Sequence, residues 1–143
     1  MRIRMEASPE RIFALAADVE RWPELLPHYR YVRRLPAANG ERHFAMGARR
    51  GRIPVSWRAT QRPRPADGII EFTHTGGVTR GMQVAWRLVA DGAATEVSIE
   101  HRLELGWPVI GRFAAERIIG PQFIDAIAGR TLRRIKRLVE SDR

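Results

Sequence analysis

The end of the chain carries apolar residues at helical spacing. After Gly120 and Pro121, apolar side chains recur at steps of three and four residues while charged residues occupy the opposite face, which predicts an amphipathic helix over residues 120–140. Pro121 disfavours helical geometry at Gly120, so a helical stretch expected over residues 108–119 should kink or end there. A helix of this length needs a broad apolar surface to pack against. Its apolar face comprises Phe123, Ile124, Ile127, Ala128, Thr131, Leu132, Ile135, Leu138 and Val139.

The beginning of the chain predicts a short strand followed by two short helices. Residues 1–7 alternate between apolar and charged side chains, as a half-buried strand does. Ser8 can cap the free N–H groups of a helix that starts at Pro9, and Asp18 can cap a second helix. Two further prolines limit the length of that second helix.

The middle of the chain alternates between apolar and polar residues and is interrupted by turn signals. Gly76-Gly77 and Asp91-Gly92 are typical of tight turns, and Pro63 should end the strand that precedes it. Short turns between consecutive strands predict an antiparallel meander with one buried face. The six predicted strands occupy residues 28–36, 41–50, 53–60, 70–74, 82–88 and 97–105.

Three segments resemble START-like domains of the SRPBCC superfamily. The sequence DVERWPELLPHYRYV (18–32) has the Asp-x-x-x-Trp-Pro turn with a following Leu-Pro, and SPERIF (8–13) is similar to the opening helix. GPQFIDAIAGRTLRRIKRLVE (120–140) is similar to the last helix of bacterial members in the polyketide cyclase/dehydrase and coenzyme Q-binding branch. The resemblance covers essentially the whole chain. It implies an α+β helix-grip fold, in which a seven-stranded antiparallel sheet wraps around a long C-terminal helix.

Length and composition indicate one soluble domain. The 143 residues suffice for a single ligand-binding domain over residues 1–143 with its own core. No apolar run is long enough to span a membrane, and the N-terminus lacks an apolar segment of signal-peptide length. Because the chain has no cysteine, it can form neither disulfides nor cysteine-ligated metal sites. We therefore expect a cytoplasmic protein.

The formal net charge of +9 raises the question of an anionic partner. Nearly all of the positive charge is arginine, and it forms local clusters at residues 49–52 and 130–137. A nucleic acid or an anionic membrane is therefore one possible partner for the basic last helix. The other basic residues are spread along the chain, so we favour a solvated arginine-rich surface. The sequence does not indicate an oligomeric state.

Two histidines are the candidate catalytic residues. His74 and His101 fall on the inward phase of the fifth and seventh strands, with the sixth strand between them. Either could bind a ligand carbonyl or transfer a proton, and either could instead be a hydrogen-bonded residue at the wet edge of a cavity. Neither has a partner at a spacing typical of metal sites, so no metal and no cofactor is predicted.

Large apolar residues share the inward face of the predicted sheet. They could line a hydrophobic slot or fill the core completely. Trp22 is expected to pack the short helices onto the sheet, while Tyr29 and Tyr31 are expected to share one strand face. The residues predicted to bind a ligand are Trp57, Phe72, His74, Met82, Trp86, His101, Phe113, Phe123 and Ile127.

Three functions are consistent with these features. The resemblance implies a protein that binds a small hydrophobic ligand, such as a lipid, a quinone or a polyketide-like molecule, between the sheet and the last helix. The alternative is an enzyme of the polyketide cyclase/aromatase or dehydrase type that uses the same pocket. The sequence contains no Gly-x-Ser-x-Gly and no phosphate-binding loop, so hydrolytic and phosphoryl-transfer chemistry is disfavoured. The third hypothesis is an RNA- or ribosome-associated factor.

Overall fold

The described part of the backbone forms one antiparallel sheet, two short helices and one long helix. The computed structural model describes residues 1–36, 41–77, 79–103 and 121–141, and it describes only the backbone of residues 103 and 121–124. The helices are α1 (Pro9–Ala17), α2 (Trp22–Leu25) and α3 (Pro121–Ser141). The strands are β1 (Arg2–Met5), β2 (Tyr29–Leu35), β3 (Arg42–Arg50), β4 (Ile53–Arg64), β5 (Ile69–Gly77), β6 (Met82–Asp91) and β7 (Ala94–Leu103).

The predicted opening unit of a strand and two helices is confirmed. Ser8 caps α1, because its Oγ accepts a hydrogen bond from the Arg11 N–H at 3.3 Å. Asp18 precedes the 3₁₀ turn Val19–Arg21 but makes no capping hydrogen bond with its side chain. The prediction that Asp18 caps the second helix is therefore wrong. Its φ of −88° and ψ of 66° lie outside the extended conformation in which a capping side chain reaches the first turn.

All strands pair in one sheet with the order β1-β7-β6-β5-β4-β3-β2. Strands β2 to β7 form the predicted meander, and β1 pairs antiparallel with β7 at the far edge. The two short helices carry the chain from β1 at one edge to β2 at the other. The helix α3 packs against α1, β1 and β3, so it lies across the concave side of the sheet.

The apolar face of α3 forms much of the core. Leu132, Ile135 and Val139 are at most 1% exposed and belong to one cluster with Met5 of β1. Full burial of each such side chain stabilises the fold by about 1.5–3 kcal/mol before entropy is subtracted. The predicted last helix is confirmed over Pro121–Ser141, whereas the expected kink or break at Gly120 and the stretch predicted over 108–119 lie outside the described residues.

The sheet is more continuous than the turn signals predict. Gly76 and Gly77 belong to β5, where they pair with Arg58 and Trp57, so the predicted turn at these glycines is wrong. A register shift at this point gives Gly77 a φ of +87°, and the guanidinium of Arg58 lies where a Cβ of Gly76 would be. Pro63 also lies within β4, where it pairs with Ile70 of β5, so the prediction that Pro63 ends the strand before it is wrong. The described pairing of β4 with β3 ends before Pro63, at Gln61, so Pro63 lies where β4 has one described neighbour.

A bulge in β2 separates two tyrosines that were predicted to share a face. The register shifts between Tyr29 and Tyr31, which pair with the adjacent residues Ala48 and Gly47. An extra residue in a strand reverses the alternation of the side chains that follow it. Tyr29 is therefore buried, at 8% exposed, whereas the Tyr31 hydroxyl donates to Ser56 Oγ on the opposite face.

Candidate functional site

A cavity lies between the inner face of the sheet and α3. Its volume is about 90 Å³, and strands β2 to β7 and one turn of α3 contribute to its wall. Among the described residues, no carboxylate lines it. The lining consists of Trp22, Tyr29, Met46, Val55, Trp57, Phe72, His74, Thr79, Met82, Val84, Trp86, Ile99, His101, Ile127, Ala128 and Thr131.

The structure brings together most of the residues that the sequence singles out. Seven of the nine predicted ligand-binding residues line this one cavity, and their role in binding stays a prediction. Phe113 lies outside the described residues, and Phe123 lies on α3 with its side chain outside the description. The seven are Trp57, Phe72, His74, Met82, Trp86, His101 and Ile127.

Trp22 has the structural role that the sequence predicts and also faces the cavity. Its indole Nε1 donates to the carbonyl of Leu15 at 3.1 Å, which ties α2 to α1. Its ring lies 4.9 Å from the Tyr29 ring and 6.1 Å from the Trp86 ring, measured between centroids. These aromatic contacts fix one end of the cavity, because large planar side chains at such distances have few alternative rotamers.

His74 is held in place on both sides of its ring. The ring stacks on Trp57 with 5.8 Å between centroids and 6° between planes, and its Nδ1 is 2.5 Å from the Thr79 hydroxyl. Burial lowers the pKa of His74 to about 3, with a smaller contribution from nearby His101. The imidazole is therefore neutral at neutral pH. Because Nδ1 is bonded to Thr79, Nε2 is the nitrogen available to a molecule in the cavity.

His101 lies on the same wall but does not pair with His74. It pairs with Val84 of β6, and Val84 pairs with Phe72 of β5, two residues before His74. The two histidines are therefore one strand apart and offset along it, with about 12 Å between their Cα atoms. Burial lowers the pKa of His101, an effect that the charge of Asp125 opposes and the N-terminal ammonium adds to. The predicted placement of both histidines on the inward face is confirmed. At this separation, a ligand could contact both rings at once.

A polar cluster that the sequence did not reveal connects the cavity wall to the protein exterior. The Thr131 hydroxyl donates to the Ile127 carbonyl at 2.8 Å and lies 2.9 Å from His28 Nε2. Since that hydroxyl hydrogen is used, Nε2 of His28 must carry the donated proton. Burial, and then the charge of Arg130, lower the pKa of His28 to about 4.

Tyr29 adds a phenol to the cavity wall beside this cluster. Burial raises the pKa of Tyr29 to about 12, and a hydrogen bond with Thr131 partly opposes this shift. The phenol is therefore protonated at neutral pH. Because the Thr131 hydrogen is used by Ile127, the phenol donates to Thr131, and its oxygen can accept a hydrogen bond from a ligand. Sequence patterns could not identify the cluster, because Thr131 falls in the apolar stripe of α3 and His28 falls at the start of a strand.

Two further properties of the site are clear from the part of the chain that the structure describes. No grouping of histidine and carboxylate side chains there could hold a metal ion. None of the described helices is long and apolar enough to cross a membrane.

A seven-stranded antiparallel sheet that grips a long C-terminal helix, with an apolar cavity between them, defines the START-like class of proteins. This confirms the fold that the sequence resemblance implied. Within that class, the chain belongs to the family described as polyketide cyclase/dehydrase and lipid transport, which matches residues 5–122.

One curated relative and three solved structures illustrate the similarity. The granaticin polyketide synthase bifunctional cyclase/dehydratase of Streptomyces violaceoruber is 30% identical over 104 residues, which cover 70% of this chain and 32% of that protein. The chain thus spans about a third of that relative's length.

The solved structures establish similarity of fold alone, because their identities to this chain are low. The protein TTHA0849 of Thermus thermophilus has a TM-score of 0.79 and 17% identity, with 99% of this chain and 96% of that chain covered. The Zhui aromatase/cyclase of Streptomyces sp. R1128 has a TM-score of 0.71 and 15% identity, with 98% and 91% covered. A START superfamily protein of Mycobacterium smegmatis has a TM-score of 0.61 and 17% identity, with 96% of each chain covered.

Proposed function

We propose that the protein binds a small hydrophobic ligand, such as a lipid, a quinone or a polyketide-like molecule, in the cavity between the sheet and α3. The observation that carries this proposal is the lining, in which three tryptophans and other apolar side chains surround a few polar groups. Small-molecule sites typically have this composition, because the apolar wall provides affinity and the polar groups fix orientation. Membership of a family described by cyclisation and lipid transport supports the same function.

The size of the cavity limits how a ligand can enter. Sites for drug-sized ligands typically have volumes of about 300–1,000 Å³, whereas this cavity has about 90 Å³. Entry of anything larger than a single ring therefore requires wall side chains to move. Met46 and Met82 are the wall residues best suited to move, because unbranched thioether side chains change rotamer at low cost.

Calorimetric titration with neutral aromatic alcohols tests this proposal. We use phenol and 2-naphthol, because an anionic probe would also be attracted to the arginine-rich surface. Saturable binding of one molecule per chain is expected, with 2-naphthol tighter than phenol because it buries more apolar area. Absence of saturable binding for both probes contradicts the proposal.

A substitution in the cavity wall sharpens the test. Ala128 lines the cavity, and Ala128→Leu places three additional carbons in it, so the affinity for 2-naphthol should fall at least tenfold. The matched control is Ala126→Leu, which lies on α3 but outside the lining and should change the affinity less than twofold. Equal effects of the two substitutions would indicate that 2-naphthol binds elsewhere.

A second candidate function is cyclisation and dehydration of a poly-β-ketone chain in the same cavity. A buried histidine and a half-buried one on one wall, His74 and His101, favour it, together with the activity named for the Streptomyces violaceoruber relative. A base removes a proton from the carbon between two ketones, the resulting carbanion forms a carbon–carbon bond with a third carbonyl, and the alkoxide takes up a proton to give an alcohol. Removal of the second proton from the same carbon then forms a carbon–carbon double bond and expels the hydroxyl, which leaves as water after it is protonated.

The two histidines suit different parts of this reaction. A pKa of about 3 makes His74 a weak base at neutral pH, so it fits the role of a hydrogen-bonding group that positions a carbonyl. Burial also lowers the pKa of His101, but the charge of Asp125 partly opposes this shift, so His101 is the better suited of the two to accept a proton.

His101→Gln tests the enzymatic candidate. With a triketo thioester as substrate, formation of the cyclised chromophore should fall to the spontaneous rate, because glutamine cannot accept a proton. The affinity for 2-naphthol should stay within threefold of the unsubstituted protein. Parallel loss of turnover and affinity would contradict a catalytic role, since it would indicate a collapsed cavity.

A further inference from the structure

A second concave surface lies on the other side of α3 and is strongly basic. Its volume is about 480 Å³, and its walls come from α3, from the connection between α2 and β2, and from the turn between β3 and β4. We call this surface the arginine cleft. Its lining consists of Pro27, His28, Arg49, Gly51, Arg130, Arg133, Arg134 and Arg137.

The arginines of α3 repel one another and so destabilise the helix that carries them. Residues at positions 130, 133, 134 and 137 share one face, and two pairs of like charges lie four positions apart, each of which costs about 0.2–0.5 kcal/mol. The helix macrodipole favours cations only within the last turn, and α3 continues to Ser141. The dipole therefore does not account for these charges, whereas a bound anion would relieve their repulsion.

The arginine cleft has no described carboxylate that would neutralise its charge. In other parts of the basic surface some arginines do pair with carboxylates, as Arg64 does with Glu71 at 2.8 Å and Arg62 does with Glu41 at 3.3 Å. Within the described part of the chain, the ion pairs include neither Arg49 nor any arginine of α3 that lines the cleft.

Several contacts hold the donors of the arginine cleft in place. The Nε of Arg134 donates to the carbonyl of Leu25 at 3.0 Å, so its remaining guanidinium N–H groups keep a fixed direction. The backbone N–H of Arg49 donates to the carbonyl of His28 at 2.9 Å, which ties the rim of the cleft to its floor. His28 stays neutral because burial and the charge of Arg130 lower its pKa to about 4. The cleft is therefore a formed basic site.

We propose that the arginine cleft binds a phosphate-bearing small molecule, independently of the ligand in the apolar cavity. Guanidinium groups bind phosphate oxygens through pairs of parallel hydrogen bonds, and several of them here converge on one space. The volume lies in the range of about 300–1,000 Å³ that is typical for small-molecule sites. A nucleic-acid duplex instead spaces its phosphates along a rod and needs positive charge spread over a broad surface.

Calorimetric titration with inorganic pyrophosphate and with adenosine 5′-diphosphate, in buffer that contains 0.15 M salt, tests this proposal. The double variant Arg130→Gln/Arg137→Gln should weaken the binding of both probes at least tenfold. The control Arg87→Gln/Arg102→Gln removes the same charge from exposed positions on β6 and β7 and should change the affinity less than twofold. Both double variants should keep their affinity for 2-naphthol within twofold, which shows that the fold and the cavity are intact.

The two probes distinguish the sources of the phosphate. Equal affinity for both indicates recognition of phosphate groups alone, whereas tighter binding of adenosine 5′-diphosphate indicates that the cleft also contacts a nucleoside; both results support the proposal. An equal loss of affinity in the control variant would overturn it, since the binding would then depend on net charge. Binding of RNA without binding of either probe would overturn it as well.

Discussion

The helix α3 separates two concave surfaces of opposite character. The apolar cavity of about 90 Å³ is lined by tryptophans and aliphatic side chains, whereas the arginine cleft of about 480 Å³ is lined mostly by guanidinium groups. One turn of the helix serves both, because Thr131 lines the cavity and bonds His28, which lines the cleft. Helical periodicity thus places an apolar surface and a basic surface on two different faces of α3.

The two surfaces also differ in whether they can stabilise a charged group. Burial in the cavity keeps His74 neutral by lowering its pKa to about 3, so a charged ligand group would be strongly disfavoured there. In the arginine cleft, most of the guanidinium groups of α3 are exposed, so water stabilises the charges until an anion replaces it. Under the two proposals, an apolar ligand in the cavity and an anion in the arginine cleft would therefore not interfere with each other.

The largest effect should come from the core side of α3. Leu132 is 1% exposed, and Leu132→Ala should lower the free energy of unfolding by about 2–5 kcal/mol, because it removes buried contacts and leaves a void. Arg133→Ala, the adjacent exposed position in the arginine cleft, should change it by less than about 0.5 kcal/mol. Urea denaturation measures both. Similar losses for the two variants would contradict the division of α3 into a core face and a ligand-facing surface.

A smaller effect should appear as pH falls. The unfolded chain protonates His28 near its ordinary pKa of 6.5, while the folded protein keeps it neutral down to about pH 4. The contribution of neutral His28 to the free energy of unfolding is therefore complete above pH 6.5. It is lost as the pH falls from 6.5 to about 4, by no more than about 1.4 kcal/mol per pH unit, because the unfolded chain then binds a proton that the folded protein does not. His28→Gln keeps an N–H donor for Thr131 and should flatten the stability curve over that window. Urea denaturation at pH 7, 5.5 and 4.5 measures the slope, and an unchanged slope would contradict the buried, neutral state of His28.

The sequence predicts the elements well, because each has a strong periodic signal. The period of α3 and the alternation of Met82, Val84 and Trp86 identify buried faces that the structure confirms. Short turns then leave the meander as the simplest topology, and the START-like resemblance adds β1 at the edge. Seven of the residues predicted to bind a ligand line one cavity, because each occupies an inward-facing position of its strand or of α3.

Local irregularities are what the sequence could not predict. The bulge between Tyr29 and Tyr31 depends on the pairing of β2 with β3, and no pattern within β2 indicates it. Gly76-Gly77 has the composition of a turn but serves the close approach of Arg58. Thr79, which contacts His74, lies in the connection between β5 and β6, where no alternation of apolar and polar residues predicts the position of a side chain.

Native mass spectrometry of the purified protein shows whether an apolar molecule occupies the cavity between the sheet and α3. We expect a co-purifying species near one equivalent, which solvent extraction identifies as apolar and which Ala128→Leu removes. If no molecule co-purifies, 2-naphthol added before the measurement should give a complex of one molecule per chain. A protein that carries nothing and forms no such complex would have a filled core, and that result would contradict the account.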